Sequence, residues 1–183
     1  LGLDMAHYEM DDGYIRTRNF TDGTGLNFEP ISSLMGENED YSDCFETISA
    51  ISPKLAEQYL KIVWMDTVCY NMDRHTENFG FLREIKSGEI VSMAPNYDNN
   101  IALISRGYPD DVSRKSDGLM RFFREFLAEN ETAGQMYRDM ELPVITKELI
   151  GDCLDEIPVE ADREYIQSFI LNGQTAVRDI IHS

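Results

Sequence analysis

Apolar positions in this chain change their spacing repeatedly, and each change marks an element. After Ser52-Pro53, a residue pair suited to a helix cap and a first helical position, Leu55, Tyr59, Ile62 and Val63 recur on one face and predict a helix that ends near Asn71. Two short apolar runs follow, Phe79-Gly80-Phe81-Leu82 and Glu89-Ile90-Val91-Ser92-Met93, separated by the turn signal Lys86-Ser87-Gly88. They predict a hairpin, which Pro95 closes by biasing Ala94 away from helix. Upstream, Ala6 to Met10 predicts a strand that enters the Asp11-Asp12-Gly13 turn, Gly23 and Gly25 make a connecting loop, and Phe28 to Gly36 and Asp40 to Ile51 predict short helices.

The last third of the chain reads as helical packing. Asp117 is placed to cap a helix whose Leu119, Met120, Phe122, Phe123, Phe126 and Leu127 form a broad apolar face, and a shorter helix carries Met136, Tyr137 and Met140. Thr146 is placed to cap a helix with Leu149, Ile150, Cys153, Leu154 and Ile157 buried, ending before Pro158. A final helix from about Ala161 to Ile181 puts Tyr165, Ile166, Phe169, Ile170, Ala176, Val177, Ile180 and Ile181 on a core stripe.

Composition narrows the classes of function. The net charge of −18 argues against direct binding to a nucleic-acid backbone, which needs clustered Lys and Arg. No run of about 18 apolar residues is present, so no membrane-spanning segment is expected. Cys44, Cys69 and Cys153 are widely spaced and odd in number, which predicts reduced thiols and a cytoplasmic setting rather than disulfides or zinc.

The candidate chemistry lies just after the long helix. Asp73 and Asn78 stand five positions apart in Asn71-Met72-Asp73-Arg74-His75-Thr76-Glu77-Asn78, and Asp98 follows the predicted hairpin in Asn96-Tyr97-Asp98-Asn99-Asn100. Phosphoryl transfer asks a protein chiefly to position groups and neutralise charge: a carboxylate near the attacking hydroxyl, and oxygen ligands for a Mg²⁺ ion that bridges phosphates. Asp73 suits the first task. Asn78 and Asp98 suit the second, because a hard cation prefers oxygen and keeps several waters. Each also has a plainer reading as a turn or capping residue. His75 reads as structural, because transfer of this kind needs no imidazole, and Arg74 either meets a phosphate or pairs with a carboxylate.

Asp73-Arg74-His75 with Asn78-Phe79-Gly80-Phe81-Leu82, followed by Ala94-Pro95 and Tyr97-Asp98-Asn99, resembles the HipA-type kinase family. The resemblance is strongest over residues 55 to 104. It implies a mainly α (α+β) fold: a protein-kinase-like C-lobe helical bundle, a small β-hairpin at the catalytic loop and short hinge strands. Residues 1–27 would be a remnant of N-lobe strands and hinge, and 28–183 the catalytic lobe. It further implies a bacterial toxin-antitoxin type of serine/threonine kinase using ATP and Mg²⁺, with Asp73 as catalytic base and Asn78 and Asp98 as metal and cofactor ligands. A protein substrate and an antitoxin partner go with that reading.

No phosphate-covering loop and no strand lysine precede the proposed hinge. The expectation is therefore a C-terminal piece of a longer protein with little kinase activity of its own. Two alternatives stay open at this point: a kinase for a small molecule or lipid, since a related loop occurs in lipid kinases, and a non-catalytic kinase-like binding module. Residues 104 to 118, with Ser105, Ser113, Ser116, Arg106, Arg114 and Lys115, occupy the place of an activation segment and read mainly as a solvated loop.

Overall fold

The computed structural model describes residues 3–157 and 160–180. Its mainly α, α+β architecture comprises two small antiparallel sheets and seven helices among the described residues, and it divides into two compact units.

One unit, covering residues 3–62 and 73–98 of the described chain, holds both sheets. Strands β1 (Tyr8–Asp11) and β2 (Tyr14–Thr17) pair in the register Met10 to Ile15. Asp12 and Gly13 between them both adopt positive φ, as a tight hairpin turn requires. The second sheet has the order β3-β4-β5, formed by Leu26–Pro30, Gly80–Glu84 and Ile90–Met93. Its β4–β5 half is the hairpin that the alternating pattern predicts. An irregularity lies between Leu82, which faces Ser92, and Arg83, which faces Ile90, so Val91 is unmatched and exposed.

The outer strand β3 corrects the expectation of a helix over Phe28 to Gly36. Only α1 (Ser32–Met35) is helical there, because the backbone from Leu26 to Pro30 instead completes the free edge of β4. Gly80 makes the approach possible: a Cβ at that position would lie 2.2 Å from the Glu29 carbonyl oxygen. Helix α2 (Tyr41–Ile51) follows, capped by the Asp40 carboxylate, which accepts from the Ser42 and Asp43 amides.

Helix α3 (Pro53–Cys69) matches the predicted helix and places Leu55, Tyr59, Ile62 and Val63 in the core. Its residues from Val63 belong to the other unit, together with residues 99–180. There α4 (Gly118–Glu129), α5 (Glu131–Asp139), α6 (Lys147–Asp155) and α7 (Arg163–Asp179) begin at Asp117, Asn130, Thr146 and Asp162, each of whose side chains accepts from backbone amides of the first turn. Met120, Phe123, Phe126 and Leu127 of α4 are buried, and Tyr137 of α5 meets Phe123 edge to face at 5.2 Å. On α7, Ile166, Phe169, Ile170, Gly173, Gln174 and Val177 face inward. Gln174 satisfies both backbone groups of Ile145, accepting from its amide at 2.6 Å and donating to its carbonyl at 2.9 Å.

Two predicted stripes are narrower than their sequences suggest. Phe122 is 49% exposed and lies against the Arg121 guanidinium, since it sits at the outer edge of the inward face, beyond Phe126 and about 100° from Phe123. On α6 only Ile150 is buried; Leu149 and Cys153 are exposed, and so is Ile157 beyond the helix end. The predicted stop at Pro158 and the core position of Ile181 lie outside the described residues.

Candidate functional site

Asp73, Asn78 and Asp98 all fall in the sheet-bearing unit. Asp73 and Asn78 lie in the loop between α3 and β4, and Asp98 follows β5. The loop is folded tightly on itself. The Asp73 carbonyl accepts from the His75 amide at 3.0 Å and from the Asn78 side-chain amide at 2.8 Å, and the His75 carbonyl accepts from the Asn78 amide at 2.8 Å. His75 also accepts through Nδ1 from the Glu77 amide at 3.3 Å, a contact within the loop itself.

Neighbouring elements hold this loop from outside. Ile31 and Ser32 donate backbone N–H groups to the carbonyls of Phe79 and Thr76, and the Thr76 hydroxyl donates to the Gly36 carbonyl at 2.8 Å. Phe79 stacks on Tyr59 of α3 with ring centroids 5.2 Å apart. The buried run Asn78-Phe79-Gly80-Phe81 thus leads from loop to strand without a slack residue.

Arg74 ties the loop to the Asp98 segment. It is 8% exposed, and its Nη1 donates to the carbonyls of both Asn78 and Tyr97 at 2.8 Å each. One nitrogen therefore brings the backbone of a candidate ligand within two hydrogen-bond lengths of the residue that precedes the other. A guanidinium can serve both because its N–H groups diverge in a fixed fork. This bridging role was missed in the sequence, where Arg74 offered only a charge beside two acids.

Tyr97 is pinned independently. Its ring closes a triangle with Phe20 and Phe28 at centroid separations of 5.6–5.8 Å, and its hydroxyl donates to the Glu77 carbonyl. Burial pushes the Tyr97 phenol up to about 12; the Arg74 charge opposes this, and Asp98 and Glu77 add to it. The phenol therefore remains a hydrogen-bond donor at neutral pH. Asp98 is half-buried with φ of +54°, a left-handed conformation that Asp tolerates better than most residues.

The donor chemistry fits a hard divalent cation. Because the Asn78 Nδ2 donates to the Asp73 carbonyl, the amide's orientation is fixed and its Oδ1 is the end left to accept a cation. Asp98 supplies a charged oxygen in the adjoining segment. Among the described residues no group of three or more His, Cys, Asp and Glu side chains converges on a point. One amide and one carboxylate leave room for water and phosphate oxygens around such a cation.

Residues 104 to 118 depart from a wholly solvated loop. Arg114 is 2% exposed and pairs with Asp117, and it donates to the carbonyls of Thr67 and Val68 in the last turn of α3 at 2.6 and 2.9 Å. Ser113 and Ser116 are exposed, with both hydroxyls donated to Asp111. Those bonds hold the Asp111 carboxyl well below the ordinary carboxylate range.

No curated protein matches the chain significantly. A solved structure of a Helicobacter pylori proinflammatory kinase, CtkA, superposes with a TM-score of 0.69 over 99% of this chain and 80% of that one, at 16% identity, and the shared feature is the fold. A family model described as the HipA-like C-terminal domain matches residues 3–157. With that match spanning the helix, the loop, the hairpin and Asp98, the chain belongs to the HipA-like C-terminal domain family.

Proposed function

We propose that this chain is the catalytic lobe of a HipA-like kinase that moves the γ-phosphoryl group of ATP to a serine or threonine hydroxyl of a protein. The observation that carries the reading is the Arg74 bridge, one guanidinium nitrogen shared by the carbonyls of Asn78 and Tyr97. It gives two residues of suitable oxygen chemistry a common frame, and Asp73 begins the same loop.

In this reading Asp73 accepts the proton of the acceptor hydroxyl as it attacks. Asn78 through Oδ1 and Asp98 through its carboxylate hold Mg²⁺, which when bound with ATP neutralises the charge that develops on the transferred phosphate. Arg74, Thr76 and Tyr97 keep the two backbone segments in register, so little reorganisation is needed at the moment of transfer. Family membership favours an intracellular bacterial setting and an antitoxin-type partner, and the acidity of this lobe favours leaving any DNA contact to that partner.

Two measurements test the proposal. Titration of the chain with Mg²⁺ and a non-hydrolysable ATP analogue should show binding that Asp98→Asn and Asn78→Ala abolish. In a protein that also carries a phosphate-covering loop and a strand lysine, Asp73→Asn should lower label transfer to protein by about 10²- to 10⁴-fold while leaving nucleotide binding intact. Transfer that survives Asp73→Asn, or label found on lipid or metabolite instead of protein, would contradict it.

A further inference from the structure

The hydroxyl of Tyr8 accepts a hydrogen bond from the backbone amide of Asp98 at 2.9 Å, across ninety positions of sequence. Neither residue makes this contact by accident of a long side chain alone. Two residues before Asp98, Asn96 forms a pair of backbone rungs with the start of the chain: its amide donates to the Asp4 carbonyl at 2.8 Å, and its carbonyl accepts from the Ala6 amide at 2.9 Å. Met5 and Asn96 are accordingly bridge partners. These rungs set the register in which Tyr8, the first residue of β1, reaches Asp98.

Asp98 sits in the left-handed region, at φ of +54°. That conformation costs Asp less than most residues but still favours surroundings that hold it. The Asp98 amide N–H shares a peptide plane with the Tyr97 carbonyl, so the bond to Tyr8 fixes that plane, the reference from which φ of Asp98 is turned. Tyr97 on the preceding side is locked by Phe20, Phe28 and the Glu77 carbonyl. The Tyr8 hydroxyl and the Arg74 guanidinium hold the two ends of the Tyr97–Asp98 peptide, the platform from which the Asp98 side chain leaves the backbone.

We propose that Tyr8 is a positioning residue for the cation site: its hydroxyl holds Asp98 in the conformation that presents the carboxylate to the metal. The inference rests on the reading of Asp98 as a metal ligand. It assigns to the first strand a task in metal binding, beyond any contribution to a hinge. Tyr8 acts in this reading through the Asp98 backbone. A phenylalanine would keep the ring, the strand pairing and the rungs at Asn96, and would remove only the acceptor.

The test compares wild type with Tyr8→Phe, Asp98→Asn and a control, Tyr14→Phe, whose residue lies in β2 and is 73% exposed. Free Mn²⁺ is followed by electron paramagnetic resonance during titration in the presence of ADP, and exchange of the Asp98 amide hydrogen is followed by NMR in the absence of metal. Tyr8→Phe should weaken Mn²⁺ binding about two- to ten-fold, the worth of a single net hydrogen bond, and speed Asp98 amide exchange, with the melting temperature unchanged. Tyr14→Phe should match wild type in all three. If Asp98→Asn abolishes binding but Tyr8→Phe binds and exchanges as wild type does, the positioning role is overturned while the metal site stands. Equal weakening in Tyr14→Phe would also overturn it, because the effect would then belong to the hairpin as a whole. If wild type fails to bind Mn²⁺ with ADP, or Asp98→Asn binds unimpaired, the underlying site is refuted and the proposal falls with it.

Discussion

Replacing Arg114 by methionine should destabilise the helical unit severely. The side chains of Arg114 and Asp117 are 1% and 3% exposed, so their pair is screened little by water. The guanidinium also donates to the Thr67 and Val68 carbonyls at the end of α3, where an unpaired carbonyl and the negative end of the helix dipole both favour a cation. It lies 4.2 Å from the ring centroid of Phe169 as well. Methionine fills similar space but leaves the buried Asp117 carboxylate without its counter-charge and two carbonyls without donors. Breaking one side of a buried pair costs about 3–5 kcal/mol, roughly a fifth or more of an ordinary domain's stability of about 5–15 kcal/mol. At about 2–4 °C per kcal/mol for a chain of this size, the melting temperature should fall by roughly 10 °C. Trp64, the sole tryptophan, is buried in the same unit, and its fluorescence in urea reports this loss. Adding Asp117→Ser keeps a capping hydroxyl for α4, removes the stranded charge and should recover about 2 kcal/mol. A loss below about 1 kcal/mol for Arg114→Met would refute the claim that this pair anchors the segment.

Arg74→Lys keeps the charge but loses the fork that serves Asn78 and Tyr97 together, so Mn²⁺ affinity should drop about ten-fold or more by titration calorimetry; an unchanged affinity would remove the bridge from the account of the site. Gly173→Ala, which helix propensity alone would favour by about 1 kcal/mol, should instead lower the urea midpoint, because a Cβ there would lie 2.5 Å from Arg114 Nη1 and 2.8 Å from the Val68 carbonyl oxygen. Burial pushes the Cys44 thiol up to about 11 and the Cys69 thiol up to about 12, with nearby carboxylates adding to both, whereas Cys153 is exposed. A chromogenic disulfide at pH 8 should accordingly titrate one thiol per native chain, and Cys153→Ser should abolish that reaction. A raised thiol favours the neutral native form, so this contribution is complete below the ordinary thiol value of about 8.5 and is lost as pH climbs through 11 and 12. Urea midpoints that stay flat from pH 8 to 11 would contradict it.

Local information determined much of this protein. Helix starts at Asp40, Asp117 and Thr146 were readable because a capping carboxylate or hydroxyl acts within three residues of its own position. The β1 and β4–β5 hairpin turns and the run of α3 were readable because period and turn chemistry are also short-range. Asp73, Asn78 and Asp98 could be nominated from residue type, spacing and family resemblance. The third strand, Leu26–Pro30, could not be assigned, since it is a strand only because β4 offers an edge and Gly80 has no Cβ. The same holds for the exposed Phe122, Leu149 and Cys153, where hydrophobic residues outnumber the inward positions that a short helix provides. The roles of Arg74, Arg114 and Tyr8 belong entirely to the tertiary structure. Each depends on acceptors or donors contributed by backbone far away in sequence, and a chain order states which groups exist without stating which of them meet.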